Sequence, residues 1–195
     1  MKITHTTPKI NPRQETLFPQ IESQSKSKSQ ARTDRFWEDL KSGRFASMVR
    51  EAAANRNLSI NSSLEAYHIM KPLMAEKDDV EQLWGIFLNA KNRIITIEKL
   101  SAGTLTCASV YPREVVKAMI EKKAAALVLA HNHPSNDPTP SPEDHQITVR
   151  VAIALKTIDA VLHDHIVVAG EKYQSMADLG FMQKATQAFN KIIST

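Results

Sequence analysis

The chain has a single cysteine, Cys107, so no intramolecular disulfide and no cysteine zinc cluster can form, and any bound metal must be held by histidine and carboxylate. No apolar run approaches the roughly 18 residues that span a bilayer, and the N-terminus lacks the apolar stretch of a secretion signal. The expectation is a soluble, cytoplasmic protein that does not meet a membrane. A basic surface is also lacking where it would matter. The net charge of +4 resides in residues 1–32, which hold six Lys/Arg and two Glu; the rest of the chain holds 19 of each sign and is neutral. Nucleic-acid binding therefore has no electrostatic support outside that tail.

Residues 1–32 show no apolar periodicity and include the run Ser23-Gln24-Ser25-Lys26-Ser27-Lys28-Ser29-Gln30. Such a segment buries too little apolar surface to offset its ordering entropy, so a disordered basic tail is expected, with Leu17-Phe18-Pro19 its only docking peptide. From Thr33 the pattern changes. Phe36, Trp37, Leu40, Phe45, Met48 and Val49 recur at helical steps to about Asn55, interrupted near Gly43, and Ser62 with Glu65 forms a capping pattern for a helix to about Met74. Residues 33–75 thus read as a helical lead-in.

The remaining length and a 42% hydrophobic content suffice for one core, placed at residues 76–181 with a C-terminal helix over 182–195. Residues 83–88 and 93–97 read as a β-hairpin around Asn89-Ala90-Lys91-Asn92, and residues 105–110 as a third strand in which Cys107 is an inert buried thiol. Pro112 opens a helix with Val115, Val116, Met119 and Ile120 turned inward, and Arg113 and Glu114 serve its first turn. Residues 124–130 form a strand buried on both faces. Ser141-Pro142-Glu143-Asp144 starts a helix, residues 159–169 form a strand, and Tyr173-Gln174-Ser175 a last short one. Interleaved strands and helices without a strict βαβ rhythm indicate an α/β sandwich around a mixed sheet.

His131-Asn132-His133 follows directly on the buried strand, so both imidazoles emerge on one face at its C-terminal end. A proline-rich loop returns to Ser141, which puts Asp144 in the first turn of the next helix. Two histidines and a carboxylate with one position open is the donor set of a catalytic zinc. Zinc acidifies its water, and a nearby carboxylate can take the proton as that water attacks a carbonyl. Glu81 and Glu98, flanking the hairpin strands, are the candidate bases. His163 and His165 share a strand face and could form a second site, but a satisfied structural role is the stronger reading, with His165 the better placed to line a cleft. The contiguous letters His131-Asn132-His133 do not make an HNH nuclease, whose residues are spread over a ββα unit.

His-x-His, seven residues, Ser, two residues, Asp is the JAMM motif, and the chain resembles the RadC-like branch of the JAB/MPN+ metalloprotease superfamily. Phe87-Leu88-Asn89-Ala90-Lys91-Asn92-Arg93-Ile94-Ile95, Tyr111-Pro112-Arg113-Glu114-Val115-Val116 and Asp164-His165-Ile166-Val167-Val168 carry the likeness over about residues 62–181. The resemblance implies an α-β-α sandwich, zinc on His131, His133 and Asp144, Ser141 hydrogen-bonding the water or oxyanion, and Glu81 rather than Glu98 as base. It implies zinc-dependent hydrolysis of an amide or isopeptide bond in a protein or peptide. The alternatives are a DNA repair accessory protein that uses the basic tail and a non-catalytic zinc scaffold. No helix-hairpin-helix pattern, usual in the family, precedes residue 62. Asn136 stands where the family has glycine, and asparagine tolerates the left-handed backbone a glycine would adopt there.

Overall fold

A computed structural model describes residues 44–55, 58–75, 79–102 and 111–194. The basic tail, the start of the lead-in with Thr33, Phe36, Trp37 and Leu40, and the strand expected around Cys107 lie outside these residues. Helices α1 (Arg44–Asn55) and α2 (Ser63–Met74) precede strands β1 (Gln82–Leu88) and β2 (Ile94–Ala102). Then follow α3 (Pro112–Glu121), β3 (Ala126–Asn132), α4 (Pro142–Lys156), β4 (Val161–Ala169), β5 (Lys172–Ser175) and α5 (Phe181–Ile193). No helix among them is long and apolar enough to cross a membrane.

The strands form one mixed sheet in the order β2-β1-β3-β4-β5, in which only β3 and β4 run parallel. Its central strands β1 and β3 are buried at every residue, as their continuous apolar runs require. Alternation along these strands divides the core into two layers. Trp84, Ile86, Leu88, Val128 and Ala130 pack against Tyr67, Met70, Leu73 and Met74 of α2. On the opposite face Leu83, Phe87, Leu127 and Leu129 meet Val115 and Met119 of α3, Val151 and Leu155 of α4, and Ala185 of α5. This is an α-β-α sandwich, as the residue pattern and the resemblance both imply.

Local chemistry sets the element ends. Asn89 Oδ1 accepts the N–H groups of Lys91 (2.8 Å) and Arg93 (3.1 Å), and Asn92 takes a left-handed φ of 55°, which closes the β1–β2 turn. Ser62 caps α2 through the Glu65 N–H, but Glu65 reaches back to the N–H of Asn61 rather than to that of Ser62. Ile120 departs from expectation. At 62% exposure it faces solvent, because α3 ends at Glu121 and only Val115 and Met119 of its apolar set are fully covered.

Candidate metal centre

The centre lies where β3 leaves the sheet. His131 is the penultimate residue of β3, pairs across to Val167 of β4, and is fully buried on the α4 side. The ladder continues one step past the strand, since the His133 N–H donates to the Val168 carbonyl at 2.8 Å. His133 is thereby held beside His131, and the two Nε2 atoms are 2.9 Å apart.

Asp144 arrives by way of a helix cap. Ser141 accepts the Asp144 N–H on its Oγ at 3.1 Å, and Asp144 Oδ2 accepts the Ser141 N–H at 2.8 Å and its hydroxyl at 2.7 Å. With Pro142 at the first helical position this is a complete capping box. The cap fixes the carboxylate so that Oδ1 stands 3.3 Å from His131 Nε2 and Oδ2 stands 3.4 Å from His133 Nε2. One carboxylate therefore both starts the helix and faces the two imidazoles.

Glu81 comes from the opposite direction. β1 pairs antiparallel to β3 with Leu83 opposite His131, and that register carried two residues further sets Glu81 across from His133. Its Oε1 is 3.8 Å from His133 Nε2, and Glu81, His131 and His133 offer ligand atoms that all lie within 4.8 Å of one another. Between the two histidines, Asn132 points to the other face and holds the segment around Glu81. Its Oδ1 accepts the Gln82 N–H at 2.8 Å, and its Nδ2 donates to the Val80 carbonyl at 3.0 Å.

The hydrogen-bond partners settle what the imidazoles present. His133 Nδ1 lies 2.8 Å from the Asp137 carbonyl, which can only accept, so Nδ1 carries a hydrogen; Nε2 is bare and open to a cation in the neutral ring and donates to Asp144 in the charged one. His131 Nδ1 lies 2.8 Å from His165 Nε2, and His165 Nδ1 lies 2.6 Å from Thr148 Oγ1. Burial would raise the Asp144 carboxyl, but hydrogen bonding from His131 and His133 outweighs it and holds the group well below the usual carboxylate range. The same bond to Asp144 raises His133 above the ordinary histidine value against the effect of burial. His165 is pushed far below that value, first by its complete burial and then by the neighbouring His131.

These donors fit a zinc ion. A tetrahedral site with bonds of about 2.0–2.1 Å separates neighbouring donor atoms by about 3.3 Å, against 2.9 Å between the two imidazole nitrogens and 3.3 and 3.4 Å from them to the two separate oxygens of Asp144. Two nitrogens and one or two carboxylate oxygens also match its preferences.

The sequence-predicted residues His131, His133, Asp144, Ser141 and Glu81 thus come together, whereas Glu98 does not join them. Its carboxylate pairs with Lys122 at 2.9 Å on a strand one step removed. His163 and His165 part company as well, because β4 shifts register by one residue opposite Leu127 and Val128. His163 is exposed and bonds to Asn92 Oδ1, while His165 lies buried behind His131 and lines no cleft. Thr148 and Asn132 were not singled out by sequence reasoning. The available signals were that Thr148 is one helical turn after Asp144 and that Asn132 lies between the two histidines. A cavity of about 390 Å³ touches the centre through His133 and is otherwise lined by Lys71, Met74, Asn132, Asn136 and Glu171 among others, without His131, Asp144 or Glu81. Asn136 adopts the left-handed φ of 59° expected of it.

A model of the RadC-like JAB domain matches residues 60–181. The chain is 43% identical over 131 residues to the UPF0758 protein STH371 of Symbiobacterium thermophilum, covering 67% of this chain and 56% of that protein. It is 46% identical over 98 residues to a UPF0758 protein of Desulforudis audaxviator, covering 50% and 43%. A UPF0758 protein of Herminiimonas arsenicoxydans, HEAR2468, is 48% identical over 95 residues, covering 49% and 42%. The chain thus spans about half the length of the curated relatives it matches. With the JAMM spacing, the mixed-sheet sandwich and this match over most of the described sheet, the chain belongs to the RadC-like, or UPF0758, family of the JAB/MPN+ superfamily.

Proposed function

We propose that the protein is a zinc-dependent hydrolase that cleaves an amide or isopeptide bond of a protein or peptide. His131, His133 and Asp144 hold the metal, and Glu81 is the general base. The observation that carries this reading is the convergence of four side chains from three elements on one point, with both imidazole Nε2 atoms and Asp144 Oδ1 facing inward. Zinc, when bound, supplies Lewis-acid polarisation and lowers the pKa of an attacking water toward ~7.

The chain's own residues do the rest. Asp144 is the more deeply buried carboxylate, fixed by the Ser141 cap, which suits it to a ligand's static role. Glu81 stands further off, at 3.8 Å, with about a quarter of its side chain exposed, and so can exchange protons with water and substrate. It accepts a proton from the attacking water and returns it to the leaving amine. Ser141 can turn its hydroxyl from Asp144 Oδ2 toward a developing oxyanion, because its own N–H continues to hold that oxygen.

The test is metal analysis combined with turnover. Purified wild type should contain about one zinc per chain, His131→Ala should contain none, and Glu81→Gln should keep zinc and fold while losing cleavage of a panel of fluorogenic peptides and lysine-isopeptide conjugates. Wild type that neither contains nor takes up zinc would sink the reading.

A further inference from the structure

Behind the candidate ligands, Thr148, His165 and His131 form a buried chain of hydrogen bonds that the proposed hydrolysis leaves unexplained. Thr148 Oγ1 lies 2.5 Å from the Asp144 carbonyl oxygen, 2.6 Å from His165 Nδ1 and 3.3 Å from Met176 Sδ; His165 Nε2 lies 2.8 Å from His131 Nδ1. Thr148, His165 and His131 are all fully buried.

The directions of these bonds follow from counting hydrogens. A hydroxyl has one. A carbonyl oxygen 2.5 Å away cannot donate, and two oxygens that close without a hydrogen between them repel, so the Thr148 hydrogen points at the Asp144 carbonyl. Thr148 Oγ1 then has only lone pairs for His165, which must carry its hydrogen on Nδ1. A neutral imidazole has one N–H, which leaves His165 Nε2 as an acceptor. His131 must therefore donate from Nδ1, and its Nε2 keeps the lone pair.

That outcome is not what His131 would adopt unaided. Asp144 Oδ1, 3.3 Å from Nε2, and the bare Nε2 of a neutral His133, 2.9 Å away, draw a hydrogen to that nitrogen, and a hydrogen there excludes a metal. The two influences oppose each other on one ring.

We propose that Thr148 and His165 are positioning residues that form a tautomer lock, holding the hydrogen of His131 on Nδ1 so that Nε2 is free to bind a metal. The proposal rests on His131 being a metal ligand. It extends to this chain the general behaviour of metal-binding histidines, whose second nitrogen is fixed by a hydrogen bond. Here the fixing partner is itself a histidine, set in turn by one hydroxyl from the helix that carries Asp144. The cap and the lock therefore tie two ligands to the first two turns of α4.

The imidazole nitrogens and zinc affinity test the lock separately. In the metal-free 195-residue chain, above the pH range in which histidine is charged, the ¹⁵N spectrum should show His131 and His165 each protonated on Nδ1 and bare on Nε2. In Thr148→Val, which keeps the shape but loses the hydroxyl, the His131 hydrogen should move to Nε2, and zinc affinity measured with zinc ion alone should fall about 10–100-fold. Thr148→Ser should restore both. Wild-type His131 protonated on Nε2 would overturn the proposal, as would a folded Thr148→Val with unchanged tautomer and zinc affinity. If Thr148→Val does not fold, the wild-type spectrum and the Thr148→Ser titration still decide. Wild type that shows the stated tautomers but binds no zinc would refute the metal reading and with it the role proposed for the lock, leaving only the hydrogen-bond chain itself.

Discussion

Asn132 Oδ1 accepts the backbone N–H of Gln82 at 2.8 Å, and through this bond a side chain extends the β1–β3 ladder by one rung. The same amide donates to the Val80 carbonyl, so both peptide groups that flank Glu81 are fixed from β3. Asn132→Ala removes both bonds and leaves two backbone groups to find water. The expected cost is about 1–3 kcal/mol in urea unfolding. Because the clamp sets Glu81 rather than the ligands, the proposed hydrolysis should lose kcat with little change in KM and with zinc content unaltered. Asn132→Asp keeps the acceptor for Gln82 but turns an oxygen on the Val80 carbonyl, so it should recover only part of the loss. A fall in zinc content parallel to kcat would place Asn132 with the ligands instead.

The loop after His133 is braced against the β4–β5 turn by Asn136 and Gly170, both left-handed, with φ of 59° and 54°. A Cβ on Gly170 would lie 2.8 Å from Asn136 Oδ1. Gly170→Ala therefore meets a backbone cost of about 1–2 kcal/mol and a smaller one for pushing the Asn136 amide aside. Asn136→Gly in the same chain should remove the clash and leave the backbone cost. A double-mutant cycle in urea should show a favourable coupling; two independent losses that simply add would refute the contact.

Which of these features could be read from the sequence depended on whether they were local. The hairpin at Asn89–Asn92, the cap at Ser141 and the buried run of β3 are spelled out by neighbouring residues. Asp144 was legible as a cap and as a candidate ligand because both readings use the same first turn. The position of Glu81 was not legible without the family resemblance, since it follows from the antiparallel pairing of β1 with β3 across some 50 residues of chain. The structural role expected of His165 holds, but its place behind His131 was not legible, for a related reason. A one-residue shift in β4 turns it behind His131, and simple alternation with His163 does not anticipate a bulge. Thr148 becomes meaningful only once β4 has brought His165 against it.

Asp164, beside His165, gives a prediction in pH. It accepts the N–H groups of His165 (2.7 Å) and Ala177 (2.9 Å) and the hydroxyl of Ser175 (2.7 Å). Burial nevertheless raises its carboxyl above the ordinary value. A folded pKa above the unfolded one adds stability that is complete below the unfolded value, near ~3.9, and is lost as pH rises through the folded value. In Asp164→Asn the amide oxygen can keep both N–H partners while its NH₂ donates to Ser175 Oγ. The unfolding free energy of wild type minus that of Asp164→Asn should therefore fall as pH rises from the carboxylate range toward neutrality. A difference that is flat, or that rises, would contradict it.

Metal removal distinguishes the two carboxylates at the centre. A ligand that binds only the folded state at about 100 times its Kd adds about 2.7 kcal/mol, which for a chain of this size raises Tm by roughly 5–10 °C. Zinc should produce such a shift in wild type and a chelator should reverse it, because His131, His133 and Asp144 converge only when β3 and α4 are in place. His131→Ala and Asp144→Ala should show no zinc-dependent shift. Glu81→Gln should retain most of it, since its carboxylate stands further from the imidazoles than Asp144 does and serves proton transfer in the proposed hydrolysis. The geometry also permits the opposite assignment, with Glu81 joining the two histidines as a ligand. Loss of the shift in Glu81→Gln together with its survival in Asp144→Asn would exchange the two roles, leaving Asp144 as the helix cap and Glu81 as the third ligand.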